Sequence, residues 1–439
     1  MGIRNYLSEE ERNAKRRYLG DAELHAPIDN AKIDNSAIAN TNNDNTAGSN
    51  EPKPVVGISG QMLRNVSATS PADARGRSDS DTIGLSATQI RELTTTTYEH
   101  SPLYEMSTLC QHHLDTMLPD HLDKLDITDR NAAMHALARK SSYEVGKFLA
   151  KGAESLLYTG QYKGYVFCVK AVRNWLSKWL GKSGSRANQG KLANVSYKTK
   201  VRHITNEYNV GRVLNEDNAF SQCPVRIISL RKVSRFGLEL GWDLLMERIN
   251  GIDLSDKALL HSMTIADKLK VCMQICRAIG GMHKRKLVHL DIKPSNFMLE
   301  RGGRVRLIDF GISVPAGYRG KTIAGTAGFF APEQICRECL NEDTDVFELG
   351  VTFNIIFGGE MLSQNAAEVL KKSAKAEAMK ALNTCNMPAI NDVPELAKYP
   401  EIANVIRACT IYRRASRINS CIVLAAKLRS AANKAGFDI

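Results

Sequence analysis

The stretch between residues 289 and 311 restricts the fold of this chain more than any other. It contains the run HLDIKPSN at residues 289–296, and the run DFG begins 18 residues after Asp291. Each of the two polar groups follows a short apolar run, which is typical of a buried strand that ends in a polar loop. Either group alone would be weak evidence, but the two together at this spacing indicate a functional site.

Together these motifs resemble the catalytic loop and the metal-binding motif of eukaryotic-type Ser/Thr protein kinases. The resemblance implies that Asp291 accepts the proton of the substrate hydroxyl and that Lys293 steadies the transferred phosphoryl group. It also implies that Asn296 and Asp309 hold Mg²⁺, for which carboxylate and carbonyl oxygens are suitable ligands. The implied cofactors are ATP and Mg²⁺. The implied fold class is α+β, with a small strand-rich lobe before a larger helical lobe.

A lysine that would bind the nucleotide lies upstream of these motifs. Residues 166–170 (VFCVK) are similar to the family's strand lysine motif, which implies that Lys170 grips the α and β phosphates of ATP. The family's partner for this lysine is a glutamate on the following helix. Glu207 is the only acidic residue between Arg173 and Leu214. We therefore predict a Lys170–Glu207 pair.

The other nucleotide contacts are expected in a phosphate-covering loop and in a hinge strand. Residues 150–158 (AKGAESLLY) resemble the loop, although only the middle one of the family's three glycines remains. Small residues still allow the backbone to approach phosphate closely. Residues 244–251 (LLMERING) resemble the hinge that receives adenine. The resemblance implies nucleotide contacts from Ala150, Gly152, Ser155, Leu157, Met246, Glu247, Ile249 and, near the ribose, Asp253.

A later motif distinguishes protein kinases from small-molecule kinases that share the same metal-binding residues. Residues 325–333 (GTAGFFAPE) resemble the end of a protein-kinase activation segment. The resemblance implies that Thr326 contacts Asp291 and Lys293. We therefore favour a Ser/Thr protein kinase over a small-molecule kinase.

Two further matches support the helical lobe. Residues 345–350 (DVFELG) resemble a buried helix start that anchors the catalytic loop through Asp345. Arg417 matches an arginine that pairs, in the family, with the glutamate of the Ala-Pro-Glu run. We therefore predict a Glu333–Arg417 pair.

Three departures from the family pattern bear on activity. Leu290 stands where the family often has an arginine that grips a phosphorylated residue of the activation segment. Because leucine cannot hold phosphate, we predict activity that does not depend on phosphorylation of Thr322 or a neighbour. Gly211 costs about 1 kcal/mol relative to Ala in a helix interior and removes an apolar contact that the family usually has there. Together with the altered glycine loop, these departures favour an alternative function, a nucleotide-binding pseudokinase scaffold. The residues Lys170, Asp291, Asn296 and Asp309 are all present and oppose this alternative.

Composition limits the domain organisation. With 43% hydrophobic and 24% charged residues, the chain is not wholly disordered, collagen-like or coiled coil. Residues 26–97 are rich in Asn, Ser, Thr, Asp and Gly and have few aromatics, so they cannot bury enough apolar surface to offset the entropy of ordering. We predict a largely disordered extension at 1–100, a short helical segment at 101–142 and a kinase domain at 143–436, with its small lobe at 143–250 and its large lobe at 251–436.

The charge balance favours anionic partners. The chain has 59 Lys and Arg against 47 Asp and Glu, a formal net charge of +12. Residues 173–202 look like an insertion, with eight Lys or Arg, no acidic residue, and Trp175 and Trp179 one turn apart. We interpret this basic insertion as a solvated loop whose tryptophans pack on the small lobe; an acidic protein or an anionic membrane is the alternative partner. ATP and a protein substrate are the expected partners, and nucleic acid is not expected.

The location of the chain follows from its targeting signals and its cysteines. The first residues lack the apolar run of a signal peptide, and no stretch approaches the length of apolar sequence that a transmembrane helix needs. Ten cysteines without a framework spacing indicate reduced thiols. We therefore expect a soluble cytoplasmic protein. Secretion as a bacterial effector, with the extension as the secretion region, is the alternative.

Overall fold

The computed structural model describes residues 105–180, 195–216, 223–362, 388–390 and 393–439. The predicted disordered extension at residues 1–100 lies outside the described residues, as do residues 181–194 of the basic insertion. All described residues belong to one compact unit of the chain. Among them, no helix combines the length and the apolar character that crossing a bilayer requires.

Two helices precede the first strand and contact different cores. Helix α1 spans Thr108–Met117 and helix α2 spans Ile127–Ala138. Leu137 of α2 is buried in the core of the following sheet, whereas Leu114 of α1 is buried in the large core of the helical part. Because α2 contributes to the core of the sheet, the domain boundary at residue 143 stays a prediction.

The small lobe is built on a five-stranded antiparallel sheet with the strand order β1-β2-β3-β5-β4. Its strands are β1 Glu144–Lys151, β2 Leu156–Tyr162, β3 Tyr165–Arg173, β4 Ile227–Arg235 and β5 Leu238–Glu247. Between β3 and β4 lie the short helix α3, Ser177–Leu180, and the long helix α4, Tyr197–Asn215. Helix α4 packs against β3, β4 and β5.

Strand β3 shows how the sequence sets the two faces of this sheet. Phe167 and Val169 are fully buried in the apolar cluster that includes Leu137, whereas Cys168 and Lys170 are half-buried. Side chains alternate across a strand, so Cys168 and Lys170 lie on the face opposite to this cluster. That face is the one from which Lys170 reaches helix α4.

The large lobe is mainly helical. Its helices are α5 Lys257–Ser262, α6 Ile265–Lys284, α7 Pro332–Ile335, α8 Glu342–Ile356, α9 Pro400–Cys409 and α10 Cys421–Lys434. Short 3₁₀ helices span Pro294–Asn296, Pro394–Leu396 and Arg414–Ser416. Its strands are β6 Gly251–Asp253, β7 Leu287–Val288, β8 Phe297–Glu300, β9 Val305–Leu307 and β10 Val314–Pro315. They form a β6-β8-β9 sheet and a β10-β7 pair.

Helix α8 lies at the centre of the large lobe. Every residue from Thr344 to Asn354 is buried, and a helix that is buried on all sides belongs to the core of its domain. Helices α6, α9 and α10 pack around it. The predicted α+β class, with a small strand-rich lobe and a larger helical lobe, is confirmed.

Candidate active site

Lys170, Glu207 and Asp309 meet between the two lobes. Lys170 Nζ lies 2.7 Å from Glu207 Oε2 and 3.0 Å from Asp309 Oδ1. The lysine comes from β3, the glutamate from the middle of α4, and Asp309 from the loop after β9. The predicted contact between Lys170 and Glu207 is therefore formed, and the same ammonium also contacts the DFG motif.

Burial and neighbouring charges set the ionisation of this cluster. Burial acts to raise the pKa of Asp309, but the Lys170 ammonium outweighs it and the pKa falls to about 2. Burial raises the pKa of Glu207 to about 7, an effect that Lys170 only partly offsets. Burial acts to lower the pKa of Lys170, but Asp309 and Glu207 outweigh it and raise the pKa. At neutral pH the site therefore holds a cationic Lys170 beside an ionised Asp309.

Helix α4 approaches the sheet closely because residue 211 is glycine. A Cβ at Gly211 would lie 2.3 Å from Cγ1 of Ile227 on β4, well inside van der Waals contact. Both residues are buried. Ile227 therefore fills the space that a side chain at position 211 would occupy.

Asp345, at the start of α8, holds the catalytic loop at residues 289–296. Its carboxylate accepts hydrogen bonds from the backbone N–H groups of His289 at 2.8 Å and Leu290 at 3.0 Å, and it lies 2.8 Å from His283 Nε2. These donors replace the water that a fully buried carboxylate lacks. The predicted anchoring of the catalytic loop through Asp345 is confirmed.

Three polar side chains surround Asp291. Thr326 Oγ1 donates to Asp291 Oδ1 at 2.5 Å, and Lys293 Nζ lies 2.9 Å from Asp291 Oδ2 and 2.8 Å from Thr326 Oγ1. Asn296 Nδ2 donates to the backbone oxygen of Asp291 at 2.7 Å. The predicted contacts of Thr326 with Asp291 and Lys293 are therefore present. Together they fix the direction in which the Asp291 carboxylate points.

Glu333 and Arg417 form a buried ion pair with two parallel hydrogen bonds. Arg417 Nη1 donates to Glu333 Oε1 at 2.7 Å, and Nη2 donates to Oε2 at 3.2 Å. This bidentate geometry matches the planar fork of the guanidinium. The predicted pair is confirmed, and it ties the end of the activation segment to the residues before α10.

The phosphate-covering loop is the turn between β1 and β2. The N–H of Gly152 donates to the Ser155 backbone oxygen at 2.9 Å, and the Ser155 side chain is buried. His203 Nδ1 of α4 lies 2.8 Å from Glu154 Oε2, and both side chains are half-buried. Ala150 and Leu157 lie opposite each other on β1 and β2. The loop is thus bonded to itself and, through one pair of side chains, to α4.

The residues predicted near adenine lie where the two lobes join. Met246 is buried near the end of β5, in register with Cys168 of β3. Ile249 follows β5 and is half-buried against the large core. Asp253 lies on β6, in register with Met298 of β8. Met246 thus lies two residues beyond Leu244, which is in register with Lys170, and Asp253 lies beside β8, which begins directly after Asn296.

Glu247 differs from the other hinge residues because its carboxylate is already engaged. It accepts a hydrogen bond from the backbone N–H of Arg226 at 2.7 Å and forms an ion pair with Arg306. A nucleotide at the hinge would meet the backbone of Glu247 and not its carboxylate. The carboxylate serves to join the hinge to β9.

Sequence reasoning missed three residues of this region: Cys168, Asn206 and Gln334. Cys168 lies two residues before Lys170 on the same strand face, so the period of the strand could have indicated it. Asn206 Nδ2 donates to the backbone oxygens of residues 310, 311 and 313 at 3.3, 3.1 and 2.9 Å. It thereby joins α4 to the DFG segment. No motif spacing could have indicated Asn206, since its partners are backbone groups 104 to 107 residues later.

The donor set of the site fits a nucleotide with Mg²⁺. Asp309 provides an ionised carboxylate, and the amide nitrogen of Asn296 is occupied by Asp291, so its oxygen is the atom that could serve a cation. Hard oxygen donors of this kind are the ligands that Mg²⁺ prefers. Lys170 adds a permanent cation suited to phosphate oxygens.

Comparison with known proteins identifies the family. Residues 190–428, more than half of the chain, match the protein kinase domain. The chain belongs to the protein kinase family. The curated relatives that it matches include serine/threonine-protein kinases.

The similarity to individual relatives is partial. CBL-interacting serine/threonine-protein kinase 15 of Arabidopsis thaliana is 25% identical over 245 residues, which cover 54% of this chain and 52% of the relative. Serine/threonine-protein kinase PknB of Mycobacterium tuberculosis is 29% identical over 126 residues, 27% of this chain and 20% of the relative. The chain thus spans about half of the first relative and less of the second. The structure of the Cydia pomonella granulovirus kinase PK-1 matches with 19% identity and a TM-score of 0.46, covering 67% of this chain and 97% of that one.

Proposed function

We propose that this protein transfers the γ-phosphate of Mg-ATP to Ser or Thr hydroxyls of protein substrates. The observation that carries the proposal is the contact of Thr326 with both Asp291 and Lys293. This contact seats the activation segment against the group that would accept the hydroxyl proton. A segment held in this way favours a protein substrate over a small molecule.

The catalytic roles follow from the contacts of Asp291. Its carboxylate, fixed by Thr326 and Lys293, would accept the proton of the substrate hydroxyl. The Lys293 ammonium lies 2.9 Å from Asp291 Oδ2, close enough to steady the transferred phosphoryl group at the same place. Positioning of this kind is most of what phosphoryl transfer requires from a protein.

The nucleotide-binding roles follow from the charges around Lys170. The lysine, held by Glu207, would grip the α and β phosphates. Mg²⁺ held by Asn296 and Asp309 would neutralise charge on the phosphate oxygens. We assign the remaining nucleotide contacts to the phosphate loop and the hinge, through Ala150, Gly152, Ser155, Leu157, Met246, Glu247, Ile249 and Asp253.

The proposed activity does not require phosphorylation of the activation segment. Leu290, at the position of the family's phosphate-binding arginine, is buried in an apolar cluster with Val288 and Leu340, and Val314 packs against that cluster. Strand β10 of the activation segment pairs with β7 here, with Val314 opposite Val288. The side chain at position 290 is thus held by apolar packing and offers no cation to a phosphate. We expect Thr322→Ala to leave kcat unchanged, and loss of activity in a folded T322A protein would contradict the proposal.

The direct test is phosphate transfer from labelled Mg-ATP to the protein itself and to myelin basic protein. Lys170→Ala and Asp309→Ala should abolish transfer, because each removes a group that meets the nucleotide. Lys257→Ala is the matched control, since this exposed lysine at the start of α5 lies outside the site. Phosphoserine or phosphothreonine that is lost only in the two site variants supports the proposal. No transfer, with ATP still raising the melting temperature, would favour the pseudokinase scaffold.

A second candidate function concerns the aromatic surface, which we define as Trp175, Trp179, Phe236 and Leu238. These side chains are 69, 73, 81 and 48% exposed, so the interpretation that the tryptophans pack on the small lobe is not supported. Arg235 Nη1 donates to the Leu180 backbone oxygen at 2.7 Å, which joins α3 to the β4–β5 turn.

We also propose that the aromatic surface docks on an anionic membrane. Tryptophan and phenylalanine rings settle at the headgroup level, and each nearby cation adds attraction to anionic lipid. The basic insertion supplies eight Lys or Arg and no acidic residue. Phe236 and Gly237 form the two-residue turn between β4 and β5, with φ of 52° and 75°, as such a tight hairpin turn requires, and this turn presents the Phe236 ring to solvent.

Co-sedimentation with vesicles tests this docking. Binding to phosphatidylserine-containing vesicles that falls with salt and is lost in the Trp175→Ala/Trp179→Ala variant supports it. The matched control is Leu109→Ala/Met117→Ala, which removes two exposed apolar side chains of α1. Binding to neither these vesicles nor pure phosphatidylcholine, together with salt-sensitive binding to an acidic protein, would overturn the membrane assignment.

A further inference from the structure

The side chain of Gln334 is buried where three segments of the large lobe meet. Its Nε2 lies 2.9 Å from Glu348 Oε1, 3.2 Å from the backbone oxygen of Ala324 and 3.4 Å from that of Leu290. Since the amide has two N–H hydrogens, two of these three acceptors share one hydrogen. Its Oε1 accepts from the N–H of Ala331 at 2.7 Å. One amide therefore bonds the catalytic loop, the activation segment and helix α8 together.

Glu348 extends this junction to the other side of Asp291. The side chain is fully buried on α8, and its Oε2 accepts from the backbone N–H of Ile292 at 2.7 Å. Burial raises the pKa of Glu348 well above its usual range, and the charge of Asp345 adds to the effect. A buried carboxyl group of this kind has a cost unless its hydrogen bonds are satisfied, which Gln334 and Ile292 achieve here.

We infer that Gln334 and Glu348 form a clamp that positions the activation segment on the catalytic loop without phosphorylation. The inference rests on the proposed kinase activity and names the device that replaces a phosphate–arginine contact. Both are positioning residues, because they act through Asp291 and Thr326 and not on the substrate.

The placement of the clamped groups supports this role. Leu290 and Ile292 flank Asp291 in the chain, so the clamp holds the backbone on both sides of the catalytic carboxylate. Ala324 lies two residues before Thr326, so the same amide also fixes the segment that delivers Thr326 to Asp291. Leu290 has a left-handed backbone with φ of 67°, a conformation that a bulky residue keeps only when its surroundings hold it.

Gly325 shows how closely the two segments approach. Its φ is +123°, and a Cβ there would lie 2.7 Å from the backbone oxygen of Leu290 and 3.3 Å from Gln334 Nε2. The activation segment therefore passes directly over the clamp. Loss of the Gln334 hydrogen bonds would release the segment at this point.

The test compares Gln334→Met with Gln274→Met. Gln274 is the matched control, since its buried amide also donates to a backbone oxygen, that of Gly303, and accepts from a backbone N–H, that of Val305. Both variants lose buried hydrogen bonds to the backbone, but Gln334→Met also loses the bond to Glu348, and of the two glutamines Gln334 is the one that contacts the activation segment. We expect Gln334→Met to lower kcat on myelin basic protein at least tenfold with KM for ATP within twofold, and Gln274→Met to change neither by more than threefold.

Native-state proteolysis provides a readout that does not depend on activity. Arg319 and Lys321 are exposed in the activation segment and offer trypsin sites. Each variant is digested at a temperature that lies the same number of degrees below its own melting temperature. Under these conditions, cleavage after Arg319 and Lys321 should be at least fivefold faster in Gln334→Met than in Gln274→Met. If the wild-type protein is inactive but the two variants differ in cleavage rate, the result supports the clamp and contradicts the proposed kinase activity. Equal cleavage rates, or a kcat loss that is the same in both variants, would overturn the clamp.

Glu348→Gln serves as a second variant if Gln334→Met does not fold. Ile292 and Gln334 donate to different oxygens of Glu348. Glu348→Gln replaces one of these oxygens with an NH2 group, which donates and does not accept, so one of the two hydrogen bonds is lost. We expect a smaller fall in kcat, about threefold to tenfold, with faster cleavage at Arg319 and Lys321. A kcat and a cleavage rate equal to those of the wild-type protein in Glu348→Gln would contradict the clamp.

Discussion

The catalytic loop and the phosphate-covering loop are held in different ways. Around Asp291 the backbone is bonded on both sides by buried carboxyl groups, through Asp345 to Leu290 and through Glu348 to Ile292. The turn at residues 152–155 has one internal backbone hydrogen bond and one half-buried pair of side chains that reaches α4. The first loop is fixed by the core of the large lobe, and the second is fixed mainly by its own strands.

This difference explains where the chain departs from its family. A buried network cannot lose one member without leaving its partner unsatisfied, which costs about 1–3 kcal/mol or more for a charged group. Two of the three glycines of the phosphate loop have changed, whereas the polar residues of the catalytic loop remain. Leu290 differs from the family in its side chain. Its backbone N–H and oxygen still bond to Asp345 and Gln334, so the buried network is unchanged at this position.

The largest effect is expected for Asp291→Asn. The amide keeps the size of the side chain but cannot accept the substrate proton, so kcat should fall about a thousandfold. A radiometric assay on myelin basic protein measures this fall, and thermal unfolding should show a fold that is retained. Asp129→Asn, in an exposed carboxylate of α2, is the control with wild-type activity. Transfer above a tenth of the wild-type rate in D291N would remove Asp291 from the proposed role.

Gly211→Ala should have the next largest effect. The added Cβ would lie 2.3 Å from Ile227 Cγ1, and overpacking of this kind costs about 1–3 kcal/mol. The strain should move α4 away from the sheet and lengthen the Lys170–Glu207 contact, which would lower kcat about tenfold. The melting temperature and kcat together measure the effect.

A compensating variant tests the cause of the Gly211→Ala effect. Ile227→Ala removes the atom that the new Cβ would meet, so the double variant should recover most of the lost activity. Recovery would show that packing between α4 and β4 sets the position of Glu207. If G211A alone has wild-type activity, the close approach has no part in holding α4.

The sequence predicted the contacts among motif residues better than the contacts that hold the motifs. The pairs Asp291–Thr326 and Glu333–Arg417 could be expected because their residues match motifs of the family. The pair Lys170–Glu207 could be expected because Glu207 is the only acidic residue between Arg173 and Leu214. The order of the two lobes, strand-rich before helical, was implied by the resemblance of these motifs to the kinase family. These signals are local, so they survive in a single sequence.

The remaining features depend on packing that no local pattern contains. Asn206 bonds to backbone oxygens, and three of the four partners of Gln334 are backbone groups. Because every residue has such groups, these contacts cannot be recognised from the sequence. The meaning of Gly211 depends on Ile227, a residue on a different element. The sequence also could not predict that α1 and α2 contact different cores. An apolar helix face shows that the helix packs on something, but not which surface it packs on.

A smaller effect is expected for His203→Ala, which breaks the link between α4 and the phosphate loop. His203 Nδ1 and Glu154 Oε2 are 2.8 Å apart, but both side chains are partly in water, and such pairs contribute about 0.2–1 kcal/mol. KM for ATP should therefore rise about twofold to fivefold with kcat unchanged. Lys198→Ala, an exposed residue at the start of the same helix, is the control. A fall in kcat of tenfold or more would mean that the pair positions α4 and not only the loop.

The smallest effect is expected for Gly152→Ala, at the one glycine that the phosphate loop retains. A Cβ there would meet Ser155 Oγ at 3.4 Å and the Ser155 backbone oxygen at 3.5 Å, which is ordinary contact, and the backbone is not in the left-handed region. The loop itself therefore does not require glycine, and kcat/KM for ATP should stay within about twofold of wild type.

Gly241→Ala is the contrasting variant, since a Cβ there would lie 2.1 Å from the Val172 backbone oxygen and should lower the melting temperature markedly. If G152A instead loses more than tenfold in kcat/KM, the phosphates approach this backbone more closely than a Cβ allows. The phosphate loop would then be as constrained as the catalytic loop, with its constraint set by the nucleotide and not by the protein.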